Sequence, residues 1–250
     1  MSGFLSAGVL QQRLSRLTLA REVADLVVAA QYTPYAREQE MLFSPEAQPL
    51  QMYWLAPTRE SHCAAFLALC APPHGFTEGL TVLDCGCGTG AMALGLATHR
   101  QDLHWVLLGH NQSQLRQAPH SMHRCVGDMH ALPLQPQTVD VVLLCYVLGY
   151  GVPSHVFEQA WRVLRPHGTV VVWDMVCRDE DSHTDTLLVS LGYKVYSQAR
   201  LEMGARLAGF GQETGKRVEK AVLHPFMESD QTLKELLASV VPFFGCWRKR

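Results

Sequence analysis

The chain has 250 residues, of which 48% are hydrophobic and 18% charged, and its formal net charge is −2. That length leaves room for one sizeable domain plus an appendage. The near-neutral balance removes the electrostatic argument for nucleic acid or an anionic membrane as the main partner. No run of about 18 apolar residues is present, so no membrane-spanning helix is expected. No basic stretch followed by an apolar core opens the sequence, and the expected location is cytoplasmic. The eight cysteines are scattered. The one close pair, Cys85 and Cys87, has no second pair at zinc spacing, so reduced buried thiols and no metal site are expected.

In chain order, residues 5–30 predict a helix, because Leu10, Leu14, Leu17, Ala20, Ala24, Val27 and Val28 recur at three- and four-residue spacing. This helix packs on the core or serves as a lid or dimer arm. Residues 35–57 hold three prolines and several aromatics and read as irregular. A second helix is expected over 59–70, and Pro72-Pro73-His74-Gly75 ends this appendage. We therefore divide the chain into an N-terminal helical and irregular cap (1–75) and a main domain (76–250).

From Thr81 the pattern alternates strand and helix, which argues for a parallel sheet with crossover helices. Strands are expected at 81–85, 104–109, 123–126, 138–145 and 169–174. Helices are expected at 90–99, 113–118 and 154–164. Residues 175–196 read as an insertion with an acidic polar stretch. Ser197 is a candidate N-cap for a helix over 198–208, closed by Gly209-Phe210-Gly211. A sixth strand near 212–222, a helix over 229–239 and a last strand within 240–248 complete the pattern, and Arg248-Lys249-Arg250 reads as a solvated tail.

The chemistry concentrates in Thr81-Val82-Leu83-Asp84-Cys85-Gly86-Cys87-Gly88-Thr89-Gly90. This is a short buried strand, a glycine turn and the start of a helix. The glycines permit a tight turn and a close approach of backbone N–H groups to a ligand, and the helix behind them offers unpaired N–H groups. A nucleotide-like ligand fits, with Asp84 facing the same crevice. Gly86, Gly88 and Ala91 also satisfy the dinucleotide pattern G-x-G-x-x-A, so an NAD(P)-dependent oxidoreductase is the rival at this point.

Further segments decide between them. The turn resembles the first motif of the class I S-adenosylmethionine-dependent methyltransferases, Val-Leu-Asp-x-Gly-x-Gly-x-Gly. Gly127-Asp128-Met129 with Leu132-Pro133 resembles the family's Gly-Asp-x-x-x-Leu-Pro segment. Thr138 to Tyr150 is similar to its fourth strand and the loop beside the transferable methyl. Arg162-Val163-Leu164-Arg165-Pro166-His167-Gly168 resembles its Arg-Val-Leu-Arg-Pro-Gly-Gly turn, a structural motif.

The resemblance implies an α/β fold: a Rossmann-like, seven-stranded, mostly parallel sheet with helices on both faces, plus the N-terminal cap. It implies S-adenosylmethionine as cofactor and S-adenosylhomocysteine as product. Cofactor contacts carried over by the motifs are Asp84, Gly86, Cys87, Gly88 and Gly90 at the methionine end, and His110, Asn111 and Gln112 at the ribose. They are Gly127, Asp128 and Met129 at the adenine, and Cys145 and Tyr146 beside the methionine ammonium. Asn111 departs from the usual acid, and can still accept from one hydroxyl and donate to another.

Candidate catalytic groups are Tyr146 and His155, with Glu40 and Asp174 as further bases if the acceptor must lose a proton. Tyr150 is a further candidate contact to substrate. The expected partner is a small, partly apolar molecule. Carbon methylation of a terpenoid or lipid is one option, and a non-catalytic cofactor-binding or scaffold relative is the alternative.

Overall fold

The computed structural model describes residues 79–178, 193–217 and 240–250. The expected N-terminal cap (including Glu40), most of the insertion and the helix over 229–239 lie outside the described residues.

Seven strands form one sheet. They are β1 (Thr81–Cys85), β2 (His104–Gly109), β3 (His123–Val126), β4 (Val139–Cys145), β5 (Leu164–Cys177), β6 (Phe210–Arg217) and β7 (Val240–Lys249). Their order is β3-β2-β1-β4-β5-β7-β6. The pairings from β3 through β5 are parallel, and β7 runs antiparallel to both β5 and β6. The strand order reverses between β1 and β4, so a crevice opens beyond their C-terminal ends.

Among the described residues four α-helices cover the faces: α1 (Ala91–His99), α2 (Gln112–Gln117), α3 (Pro153–Val163) and α4 (Gln198–Leu207). Burial on both faces explains the near-continuous apolar run of β4. Val142 and Leu144 pack with Val156 and Phe157 of α3 and Leu201 and Ala205 of α4. Val141, Leu143 and Cys145 pack on the other face with Met92, Ala93 and Leu96 of α1 and Leu115 of α2. The described cysteines are free, and all but Cys125 are buried. No described helix is long and apolar enough to cross a membrane.

Among the described residues the expected strands and helices are present, with helix ends shifted by a residue and larger changes in the strands and the insertion. β4 begins at Val139 rather than Thr138. β5 is far longer than 169–174: it opens at Leu164, where α3 stops, and continues through Cys177, because β7 pairs with it from Thr169 to Cys177. The insertion therefore starts later than 175. Residues 193–196 also belong to the packed body, with Tyr193, Val195 and Tyr196 buried and Tyr196 bridged to Val176. β6 opens at Phe210, and residues 218–222 of the expected strand lie outside the described residues.

The solvated tail is not one. Lys249 is buried, and its Nζ donates to the Trp161 and Leu164 carbonyls at 2.7 Å each. An ammonium there satisfies carbonyls that the C-terminus of α3 leaves without helical partners.

Candidate active site

The glycine turn joins β1 to α1 at the crevice. The Gly86 and Cys87 N–H groups donate to the Leu108 carbonyl at 2.8 and 3.0 Å, tying the turn to β2. Gly86 has φ +86°, and a Cβ there would lie 2.4 Å from Val147. Only glycine meets both demands. Gly88 differs: around its Cβ position nothing lies within 4 Å. Gly90 is the N-cap of α1 and supplies no side-chain cap, and the first turn has no acidic residue. The N-terminus of α1 is therefore without a side-chain cap, and such a helix start can receive an anionic or polar group.

Asp84 lies beneath this turn, 1% exposed, and its Oδ2 has no hydrogen-bond partner among the described residues. Burial pushes its pKa up to about 7. An orphaned buried carboxylate oxygen is costly and calls for a donor. Its charge also raises the buried Cys145 thiol at the end of β4, after the larger effect of burial itself.

After β2, Asn111 is buried and N-caps α2, its Oδ1 accepting from the Gln114 N–H at 3.0 Å. The position expected to read a ribose therefore already spends one lone pair on a helix start. His110 and Gln112 beside it are exposed.

After β3, Asp128 is 58% exposed. Its Oδ1 accepts from the His130 N–H and from His130 Nδ1, both at 2.8 Å. The His130 backbone N–H is the leading reason its pKa is lowered. Gly127 is needed because a Cβ would lie 2.8 Å from Pro133. Arg162 of α3 fixes this loop by donating to the Leu132 and Leu134 carbonyls at 2.6 and 2.7 Å. The Arg-Val-Leu-Arg-Pro motif thus acts on the site indirectly, by holding the Asp128 loop.

After β4, Tyr146 adopts φ +51°, uncommon for a side chain of its size. Two hydrogen bonds hold it there: its N–H donates to the Trp173 carbonyl at 2.8 Å, and Trp173 Nε1–H donates to its hydroxyl at 2.6 Å. Burial raises the phenol well above its ordinary range, so Tyr146 stays protonated and can donate a hydrogen bond but does not act as a base.

Asp174, at 2% exposure, accepts from Tyr193 OH, from the Leu148 N–H at 3.1 Å and from the Met175 N–H at 2.7 Å. Burial raises its pKa to about 6. Tyr193 in turn packs edge-on to Tyr150, with centroids 5.0 Å apart. Its ring is close enough that a Cβ on Gly149 would lie 2.5 Å away.

The structure therefore gathers Asp84, the glycine turn, Asn111, Asp128, Cys145 and Tyr146 along one edge of the sheet. It places His155 elsewhere in character: exposed, in the first turn of α3, with no hydrogen bond to a described residue. Trp173, Tyr193 and His130 were not expected at the site. No spacing marks them, since each partner lies about 20 residues or more away or is set by a fold-dependent loop. Among the described residues no cluster of three metal-ligating side chains exists.

Residues 82–168 match a family described as "Methyltransferase domain". The chain is 28% identical over 125 residues to a sterol 4-C-methyltransferase of Caenorhabditis elegans, covering 44% of this chain and 37% of that protein. It is 26% identical over 165 residues to a malonyl-[acyl-carrier protein] O-methyltransferase of Dechloromonas aromatica, covering 62% and 58%. The chain thus spans between a third and about three-fifths of the curated relatives it matches. Its fold is similar to geranyl diphosphate C-methyltransferase of Streptomyces coelicolor A3(2), solved with Mg2+, geranyl diphosphate and S-adenosyl-L-homocysteine. The TM-score is 0.65 at 14% identity, covering 89% of this chain and 88% of that one.

Proposed function

We propose that this chain, which carries a class I S-adenosylmethionine-dependent methyltransferase domain, transfers a methyl group to a small, partly apolar acceptor. The observation that carries the reading is the pairing of the open Gly88 turn with the orphaned Asp84 oxygen. Together they suit a ligand bearing both a nucleoside and a cationic amino-acid end. S-adenosylmethionine supplies a methyl on a sulfonium. Asp84, the glycine turn and the Cys145–Tyr146 backbone are suited to its methionine end, Asn111 to its ribose, and Asp128 with Met129 to its adenine.

The chain's own work is orientation. Aligning an acceptor with the methyl contributes most of the acceleration in such a displacement. Tyr146, held at positive φ by Trp173, accepts from the Trp173 Nε1–H and keeps its own hydroxyl proton to donate. Carbon methylation of a sterol-like or isoprenoid acceptor is the specific form we favour. Tyr146, Tyr150, Trp173 and Tyr193 crowd the ends of β4 and β5, and aromatic faces steady a developing positive charge. The negative charge of Asp174 behind them disfavours a carboxylate acceptor. The names of two of the similar proteins agree with this choice.

The competing reading is a relative that binds the cofactor without turnover. It draws on Asn111, whose oxygen is engaged in a helix cap. Isotope-labelled S-adenosylmethionine, offered with sterol, isoprenoid and acyl-carboxylate acceptors, separates the cases. A new carbon–methyl bond supports the proposal. A methyl ester overturns the carbon assignment. Binding with no transfer to any acceptor supports the competing reading.

A further inference from the structure

The loop after β3 carries Asp128 and Met129, and the loop after β4 carries Tyr150. In the proposed site these serve different ligands, cofactor and acceptor. His130 joins them. Its Nδ1 lies 2.8 Å from Asp128 Oδ1, and its Nε2 accepts the Val152 N–H at 3.1 Å. A neutral imidazole offers one donor and one acceptor. Since Nε2 accepts a hydrogen bond from the Val152 N–H, the ring's own proton is assigned to Nδ1, where it points at the carboxylate.

The contact is built by a glycine. A Cβ on Gly151 would lie 2.6 Å from both His130 Nε2 and Met129 Cε. Gly151 has φ −142°, open to any residue, so closeness and not backbone freedom is what this glycine provides. The opposite side of the same loop is held separately. Tyr196 OH donates to the Gly151 carbonyl at 2.7 Å, and the Lys194 N–H donates to the Gly149 carbonyl at 2.9 Å. With that side fixed, a change at Asp128 reaches the loop through the imidazole.

We infer that His130 is a positioning residue that couples the cofactor carboxylate Asp128 to the acceptor-side loop at Gly151–Val152. The inference rests on the proposed role of Asp128 at the adenine. When that carboxylate engages a ligand, the bond to Nδ1–H changes, and the acceptor strength of Nε2 toward Val152 changes with it. The chain thereby links occupancy of the cofactor site to the placement of Tyr150.

The test needs no acceptor molecule. S-adenosylhomocysteine affinity is measured by calorimetry on wild type, Asp128→Asn, His130→Phe, His130→Gln and the Asp128→Asn/His130→Phe double variant. The Val152 amide and the His130 ring nitrogens are followed by NMR. His130→Phe should weaken binding about fivefold to tenfold, the size of one or two lost hydrogen bonds. His130→Gln, which keeps a donor and an acceptor, should recover part of that loss. The double variant should fall short of the sum of the single effects. The ring should carry its proton on Nδ1, and the ligand should shift the Val152 amide in wild type but not in His130→Phe.

Full affinity in His130→Phe, or an additive cycle with an unmoved Val152 amide, overturns the coupling. If His130→Phe does not fold, Asp128→Asn alone decides, because it must shift the Val152 amide even without ligand. Should Asp128→Asn bind the ligand as wild type does, the adenine assignment fails. The coupling then stands or falls on that same ligand-free shift.

Discussion

Two buried carboxylates lie in the C-terminal parts of parallel strands, and they are treated in opposite ways. Asp84 is one residue from the end of β1, and Asp174 lies in β5 three residues beyond Val171, the residue aligned with Asp84 through Leu143. Both are nearly inaccessible, at 1% and 2% exposure. Asp174 is saturated, with a phenol and two backbone N–H groups donating to it. Asp84 keeps an oxygen with no partner. Burial raises both pKa values, to about 6 and about 7, and donors hold Asp174 the lower of the two. A saturated carboxylate is part of the frame. An unsaturated one, set beneath an open glycine turn, lowers the stability of the empty protein and gains its partner only with a ligand.

The sharpest way to break this contrast is Asp174→Ala. It would remove the acceptor to which the Tyr193 hydroxyl and the Leu148 and Met175 N–H groups donate. The expected cost is about 2–4 kcal/mol in urea unfolding. A cost below about 1 kcal/mol would place Asp174 outside the frame.

Asp84→Asn should behave in the opposite sense. Removing a buried, unpaired charge should stabilise the ligand-free protein by about 1–2 kcal/mol near pH 8, where wild-type Asp84 is ionised. The same change should weaken S-adenosylmethionine about tenfold to a hundredfold, since a charged hydrogen bond is worth about 1.5–3 kcal/mol. Calorimetry alongside thermal unfolding reads both. A variant that is destabilised and binds normally would show Asp84 to be framework as well.

Protonation sharpens the comparison further. Both folded-state values lie above the ordinary aspartate value of 3.8. Each group therefore contributes stability that is complete below about pH 4 and is lost as pH rises through about 6 for Asp174 and about 7 for Asp84. Between those limits Asp84→Asn should lose less stability with rising pH than wild type does. A cationic ligand beside Asp84 would favour its charged form, so binding near pH 6 should release a proton. Calorimetry in two buffers of different ionisation enthalpy would detect that proton in wild type and none in Asp84→Asn. Equal release in both would assign it to another group.

The contrast also marks where sequence reading works. The glycine turn, the strand ends and the Gly127-Asp128 loop were legible because each is a local backbone event with its own residue requirements. Most of the strand and helix order followed from periodicity in the same way. The partners of Asp174 and Tyr146 were not legible. Tyr193 reaches Asp174 across 19 residues, and Trp173 reaches Tyr146 across 27. Such contacts depend on how β4 and β5 lie side by side. Lys249 shows the converse error: a basic C-terminal triplet looked solvated, yet β7 pairing carries it to the end of α3. His155 had suitable chemistry for a base, but helix phase turns it to solvent.

Asn111 tests whether the division between framework and ligand groups is strict. Its Oδ1 is spent on the Gln114 N–H like a framework acceptor, while its place after β2 is the ribose slot. Asp is as good an N-cap as Asn, so Asn111→Asp should leave thermal stability within about 0.5 kcal/mol of wild type. A carboxylate that still caps α2 has lone pairs left for a hydroxyl, and a charge-assisted bond there is stronger than the amide's. The expected result is an affinity gain of about threefold for S-adenosylmethionine, roughly half the value of one neutral hydrogen bond. Unchanged affinity with unchanged stability would make Asn111 a cap alone and move it to the side of Asp174. A gain would show one side chain serving the fold through one lone pair and the ligand through the other.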